Sequence, residues 1–255
     1  MKLAVWPSPP AQALADVLAE AGMLSETATV EPFNAARALE QGTVDLALVP
    51  TLDVLRQPDA FDLVPGVALA GERDPLTKLV VGSALDAVET VAFDPRHGQA
   101  ALLAQLVLKE HYSAKPSFAP ADPSVGLEML LAGHSAALVS AASEATDAVV
   151  LDLGQEWTDL TLRPMVWGLL AARSGSLAIE IARRLRDAVQ GAAPPDVART
   201  DHGTLVYQFS LDGYAHDGLD EFVNHLYYHG TLADFPDLPF LVIPPDDEDA
   251  DSDEA

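Results

Sequence analysis

A run of nine residues, Met165-Val-Trp-Gly-Leu-Leu-Ala-Ala-Arg173, carries no charge until its last position and is bounded by Pro164 on one side and Ser174-Gly175 on the other. A strand of that composition is buried on both faces rather than lying at a surface. Two covered faces require helices above and below, so the run predicts a layered α/β architecture around a mostly parallel sheet. The preceding Leu151-Asp-Leu-Gly-Gln-Glu-Trp-Thr-Asp-Leu160 reads as polar punctuation around an amphipathic turn, where the chain folds back on itself.

The N-terminal third carries the same signal. Residues 2–6 read as a strand that Pro7-Ser-Pro-Pro10 ends, followed by a helix over 11–21 with Leu14, Val17, Leu18 and Ala21 on one face. A strand at 27–30, a helix at 34–41 closed by Gly42, and a strand at 44–49 follow. Such alternation predicts right-handed crossovers and a parallel core. Further strands are expected at 63–69, 76–82, 88–93, 117–118, 136–140 and 148–152, with helices at 98–112, 124–132, 177–190 and 218–228.

Composition removes several functional classes. No window holds the roughly 18 uninterrupted apolar residues of a membrane span. Residues 1–7 lack the apolar core and cleavage site of a secretory signal, so a cytoplasmic protein is expected. Cysteine is absent, which excludes disulfides, thiolate metal sites and a cysteine nucleophile. The net charge is −25, and removing the seven acids of residues 244–255 still leaves −18. With only four lysines, that surface suits high salt, where screening relieves self-repulsion, and it argues against nucleic acid as a partner. There is no Gly-rich phosphate loop and no Gly-x-Ser-x-Gly elbow. His225 and His229 share one helix face, but no carboxylate partner at fixed spacing accompanies them, so no metal is expected. His134 beside Ser135 is the remaining acid–base suggestion.

An apolar strand ending in Asp152-Leu-Gly-Gln-Glu-Trp157, a short turn, and then Pro164 leading into Ala171-Ala-Arg173 resembles the chorismate dehydratase family of the futalosine route to menaquinone. Gly42-Thr-Val-Asp-Leu-Ala-Leu-Val-Pro-Thr51, Leu63-Val-Pro-Gly66 and Asn224-His-Leu-Tyr-Tyr-His-Gly230 extend the similarity. The resemblance implies the two-lobed fold of type 2 periplasmic solute-binding proteins, with a central cleft. On this chain it divides as residues 1–84 plus 164–243 in lobe one, 86–162 as an inserted lobe two, and 244–255 as a disordered acidic tail.

In such a fold the cleft lies outside the carboxyl ends of the strands. The loops at Pro7-Ser8, Pro50-Thr51 and 94–98 are expected to reach it. Ser8 and Thr51 either present hydroxyls to a ligand carboxylate, beside the N–H groups of helix starts, or cap those helices. Arg96, next to His97, either grips a carboxylate with two hydrogen bonds or pairs with a surface acid. Lys78 interrupts an apolar strand, either as an anion anchor in the cleft or as a snorkelling edge residue. Where the family carries an Asn after the first strand, a Ser near Lys78, a Ser-Arg-Thr-Ser-like loop and a Gly-Asp, this chain has Pro7-Ser-Pro-Pro10, Thr77-Lys78, Arg96-His-Gly-Gln99 and Ser140-Ala141. Pro50-Thr51, standing for the family's Pro-Ser, is the close match.

The resemblance therefore implies a cofactor-free hydro-lyase that converts chorismate to 3-enolpyruvylbenzoate and whose partner is a small carboxylate anion. A non-catalytic anion-binding protein of the same fold and a relative of dihydroxynaphthoate synthase are the alternatives. The oligomeric state has no signature in the sequence.

Overall fold

The computed structural model describes residues 1–144, 148–195, 198 and 206–244. The acidic tail beyond Pro244 lies outside the described residues. In chain order the elements are β1 (Lys2–Val5), α1 (Pro9–Glu20), β2 (Glu26–Thr29), α2 (Ala35–Glu40), β3 (Leu46–Pro50), α3 (Thr51–Arg56), β4 (Phe61–Gly71) and β5 (Thr77–Val81). Then come β6 (Thr90–Phe93), α4 (Gly98–Glu110), β7 (Ser117–Pro120), α5 (Leu127–Gly133), β8 (Ala136–Ser140), β9 (Val149–Leu151) and α6 (Leu153–Thr161). The chain closes with β10 (Met165–Arg173), α7 (Ile179–Gly191), β11 (Tyr207–Ser210) and α8 (Gly213–Tyr228).

Two separate sheets build two lobes. The first runs β11-β4-β10-β3-β1-β2 and the second β7-β6-β8-β5-β9. Each has a parallel heart, β2-β1-β3 in one and β7-β6-β8 in the other. Antiparallel strands complete each sheet, so the expected mostly parallel sheet is corrected to a mixed one. β10 is antiparallel to both β3 and β4, while eight of its nine residues are buried. An apolar run reports burial on two faces, which either ladder provides; direction is set by where the chain re-enters the sheet. β5 pairs with β8 and β9, so residues 77–81 belong to the second sheet rather than to the segment 1–84. Helix α8 packs on β10 and α7 on β4, while α4 packs on α6.

The chain crosses between the sheets twice, after β4 and after β9, and the crossings are joined at one carboxylate. Asp152 accepts N–H bonds from Gly154 at 3.0 Å and Gln155 at 3.2 Å, which caps α6, and also from Asp74 on the other crossing at 2.9 Å. Arg73 lies 3.5 Å from its second oxygen. Gly154 presses on that crossing: a Cβ there would lie 2.6 to 2.7 Å from the backbone of Arg73. Trp157 is fully buried, edge-on to Phe222 and His225. Leu153 is fully buried and Glu156 accepts from Tyr112 Oη at 2.6 Å, so each named residue of the Asp-Leu-Gly-x-Glu-Trp motif has a structural duty. Among the described residues no helix is long and apolar enough to cross a membrane.

Candidate active site between the lobes

A cavity of about 150 Å³ opens where both lobes meet the crossing after β4. The first lobe contributes Trp6 after β1, Pro50 at the end of β3, Leu52, Asp53 and Arg56 from α3, and Trp167 from β10. The crossing contributes Asp74 to Thr77, and the second lobe contributes residues 95–100 at the start of α4. These are the carboxyl ends of β1, β3 and β6, where open α/β sheets place their ligands.

Asp74 is the most perturbed group in the wall. It is 7% exposed, and Oδ1 accepts the N–H groups of Leu76 and Thr77, both at 2.9 Å, while Oδ2 accepts the Thr77 hydroxyl at 2.5 Å. Burial outweighs these bonds and pushes its pKa up to about 6. Asp53 is also raised by burial, against the pull of Arg56. Burial lowers His97, which favours its neutral form near pH 7. Arg96 lies against Asp94, with Nε 2.8 Å from Oδ2 and Nη2 2.5 Å from the same oxygen, and that pairing holds the Asp94 carboxyl below its ordinary value against the opposing effect of burial. Arg96 and His97 also line a second cavity of about 520 Å³ in the second lobe, bordered by Asp122, Ser124, Ser140 and Ser143. They form the partition between the two spaces.

Of the five residues singled out in the sequence, the structure brings Arg96 and His97 into the wall. Thr51 is fully buried and donates its hydroxyl proton to the Val166 carbonyl at 2.7 Å, pinning α3 to β10. Ser8 is 5% exposed and does not cap α1 through its side chain. The N–H groups expected at that helix start are missing because Pro9 and Pro10 occupy it. Lys78 donates to the Ser143 carbonyl on the loop after β8, while Thr77 beside it lines the cavity. Adjacent strand residues point to opposite faces, so the anchor expected at Lys78 stands outside the wall. His134 contacts the Leu130 carbonyl, and His225 and His229 are taken up by Glu221 and by Lys109 and Glu110. Among the described residues no group of three or more His, Asp or Glu is arranged to hold a metal.

Asp74, Gln99, Trp6 and Trp167 were not legible as site residues. Asp74 falls in Gly71-Glu-Arg-Asp-Pro75, which reads as a link between two strands, and both tryptophans fall within strand segments. The available signal was position, since Trp6 closes the first strand at the end where ligands bind.

Comparison with known proteins bears on the family and the fold. A protein-family model described as menaquinone biosynthesis matches residues 1–229. Among solved structures, protein AF1704 from Archaeoglobus fulgidus is 17% identical, with a TM-score of 0.61 over 91% of this chain and 98% of that one. An ABC transporter protein from Parabacteroides distasonis is 17% identical, with a TM-score of 0.61 over 96% and 99%. The periplasmic aliphatic sulphonate-binding protein SsuA from Escherichia coli is 14% identical, with a TM-score of 0.59 over 96% and 92%. At these identities the likeness is one of fold. A search of the curated proteins finds no match.

Proposed function

The chain belongs to the menaquinone biosynthesis family, and from that premise we propose that its inter-lobe cavity dehydrates chorismate to 3-enolpyruvylbenzoate. The observation that carries the reading is a buried carboxyl with a pKa near 6, Asp74, in the wall of a cavity that Arg56 and Arg96 flank from opposite lobes. Chorismate is a dicarboxylate with a hydroxyl next to the ring carbon that bears the enolpyruvyl ether. Loss of the hydrogen on that carbon as a proton, and of the neighbouring hydroxyl, releases one water and leaves an aromatic ring. No electrons enter or leave, so the protein needs to position, accept a proton and return it.

Asp74 suits the proton transfer because a carboxyl titrating near 6 is both a competent base and a competent acid at neutral pH. In this reading Asp74 takes the ring proton and delivers it to the departing hydroxyl, and the guanidinium groups draw in the two carboxylates. Neutral His97 supplies a hydrogen-bond donor without adding charge. The proposed setting is the cytoplasm.

A second reading, a non-catalytic carboxylate-binding protein, draws on the sulphonate-binding fold relatives and on the capture of Arg96 by Asp94. Purified protein in molar salt, incubated with chorismate and followed by ultraviolet absorbance and product mass, separates the two. Appearance of 3-enolpyruvylbenzoate supports dehydration. A chorismate-dependent rise in Tm with no product supports the binder.

A further inference from the structure

The polar groups expected to hold an anion in this cleft are largely engaged elsewhere. Helix α1 opens with two prolines, and the Leu52 N–H at the start of α3 donates to Gln99 Oε1 at 2.8 Å. Lys78 is turned to Ser143 and Arg96 to Asp94. Beside the Arg56 guanidinium and the His97 ring, two indole N–H groups remain in the wall. Trp6 and Trp167 both line the cavity, at 2% and 3% exposure, and neither Nε1 has an acceptor among the described residues. Buried donors without partners are uncommon and costly, and both Nε1 atoms belong to residues of the cavity wall, so an acceptor that enters the cavity and shifts either ring slightly would satisfy them.

The backbone builds this pair. In the ladder between β10 and β4, Val166 pairs with Ala70 and Gly168 with Leu69, so Trp167 is an extra residue at a bulge. Bulges re-aim side chains next to sites, and this one also leaves the Trp167 carbonyl free to accept from Gln99 Nε2 at 2.8 Å. The next residue, Gly168, makes room for the other indole: a Cβ there would lie 2.7 Å from Cη2 and 2.8 Å from Cζ2 of Trp6. The six-membered ring of Trp6 therefore rests on the Gly168 backbone, beside Trp167. Trp157 serves as an internal contrast, since its Nε1 also lacks an acceptor among the described residues but the ring is packed against Phe222 and His225 outside the cavity wall.

We propose that Trp6 and Trp167 form a two-indole recognition wall for an unsaturated cyclic carboxylate. Their N–H groups donate to ligand oxygens, and their ring surfaces cover its flat ring. Both are then specificity-determining residues, a role that rests on the chorismate reading of the same cavity. A carboxylate offers acceptors only, which suits neutral donors in a chain of net charge −25. A flat ring separates the ligand from an aliphatic anion.

The test uses ¹⁵N-labelled protein, whose three tryptophans give three indole N–H signals, assigned through Trp6→Phe, Trp157→Phe and Trp167→Phe. Chorismate, 3-hydroxybenzoate and ethanesulfonate are titrated in turn, with Tm and product formation followed in parallel. The expected result is downfield movement of the Trp6 and Trp167 signals with the first two compounds, a still Trp157 signal, and roughly tenfold or greater weakening of binding in each cavity Phe variant, the range for a hydrogen bond to a charged group. If chorismate raises Tm or is turned over while both cavity signals stay in place, the indole wall is overturned and the chorismate reading stands. Movement with 3-hydroxybenzoate, but neither binding nor turnover of chorismate, upholds the wall and overturns that reading. Equal movement with ethanesulfonate overturns the preference for a ring, and no response to any of the three overturns both.

Discussion

Gln99, in the first turn of α4 on the second lobe, accepts a hydrogen bond from the backbone N–H of Leu52 on the first lobe at 2.8 Å. Its amide nitrogen donates to Trp167 on β10, so one side chain spans the cleft with both ends engaged. Gln99→Ala removes both bonds and leaves the Leu52 donor unpaired. The expected loss is about 1–3 kcal/mol of stability, from two neutral bonds of about 0.5–1.5 kcal/mol each. Hydrogen exchange at the Leu52 amide reports the change directly and should accelerate at least several-fold. An unchanged exchange rate there would mean that the lobes are held together without Gln99.

Asp74 sets stability against activity. Its folded pKa of about 6 lies above the ordinary 3.8, so the folded state binds the proton more tightly than the unfolded chain. The cost is absent below pH 4, grows as pH rises from 4 to 6, and is complete above 6, where it amounts to about 3 kcal/mol. Asp74→Asn keeps an oxygen for the two N–H donors and offers its amide to the Thr77 hydroxyl, which can also accept. This variant should gain roughly 1–3 kcal/mol above pH 7 and nothing at pH 4, while losing dehydration activity. For the parent, kcat/KM should fall as pH drops through about 6. Chemical denaturation at pH 4 and pH 8 checks the first claim, and a variant no more stable at pH 8 than the parent would sink it.

How much of this was legible follows from what each signal reports. Periodicity found the strands around β10 because burial on two faces writes itself into nine consecutive residues, but it carried no information on strand direction. Residues 77–81 look like a further strand of the first lobe because the chain between Gly71 and Thr77 gives no sign of crossing. That sign is a set of contacts, Asp74 to Asp152 and Gly154 to Arg73, separated by about eighty positions in sequence. β11 was missed because Tyr207–Ser210 is short and half-buried. Arg96 and His97, singled out through residue type and loop position, lie in the cavity wall. Thr51 and Lys78 have the right types but spend their donors on Val166 and Ser143, and a donor's partner is a tertiary fact.

A pH response is built into the contact between α4 and the residue following α8. His229 Nδ1 lies 2.7 Å from Lys109 Nζ, its Nε2 lies 3.2 Å from Glu110 Oε1, and its ring stacks at 6.1 Å on His225, which pairs with Glu221. Burial lowers the pKa of His229, Lys109 and His225 lower it further, and Glu110 opposes them. A histidine depressed in the folded state contributes stability that is complete above its unfolded value of 6.5 and is lost as pH falls below it. His97 adds to the same trend through its own burial. Between pH 7.5 and 5.5 the parent should therefore lose more Tm, or gain less, than His229→Gln, because the relief of the Asp74 cost acts in both proteins and in the opposite direction. An identical slope in parent and variant would show that His229 does not carry the response.

Gly154 tests the claim that the two crossings act as one joint. A methyl group at this position would meet the nitrogen, Cα and carbonyl carbon of Arg73 at 2.6 to 2.7 Å, and backbone atoms cannot rotate out of the way as a side chain would. Overpacking of this kind costs roughly 1–3 kcal/mol, occasionally more. Here the displaced segment also carries Asp74, whose N–H is held by Asp152. Gly154→Ala is thus expected to lower stability by about 3 kcal/mol and to weaken ligand binding in whatever fraction stays folded, because the Asp74 carboxyl moves with its backbone. Asp152→Ala attacks the joint from the other side by removing an acceptor of three N–H groups, and Asp152→Asn, which retains an acceptor oxygen, should recover part of the loss. Because both substitutions strain one structure, the double variant Gly154→Ala with Asp152→Ala should lose less than the two losses combined. Strict additivity in denaturant titrations would show that the crossings are independent.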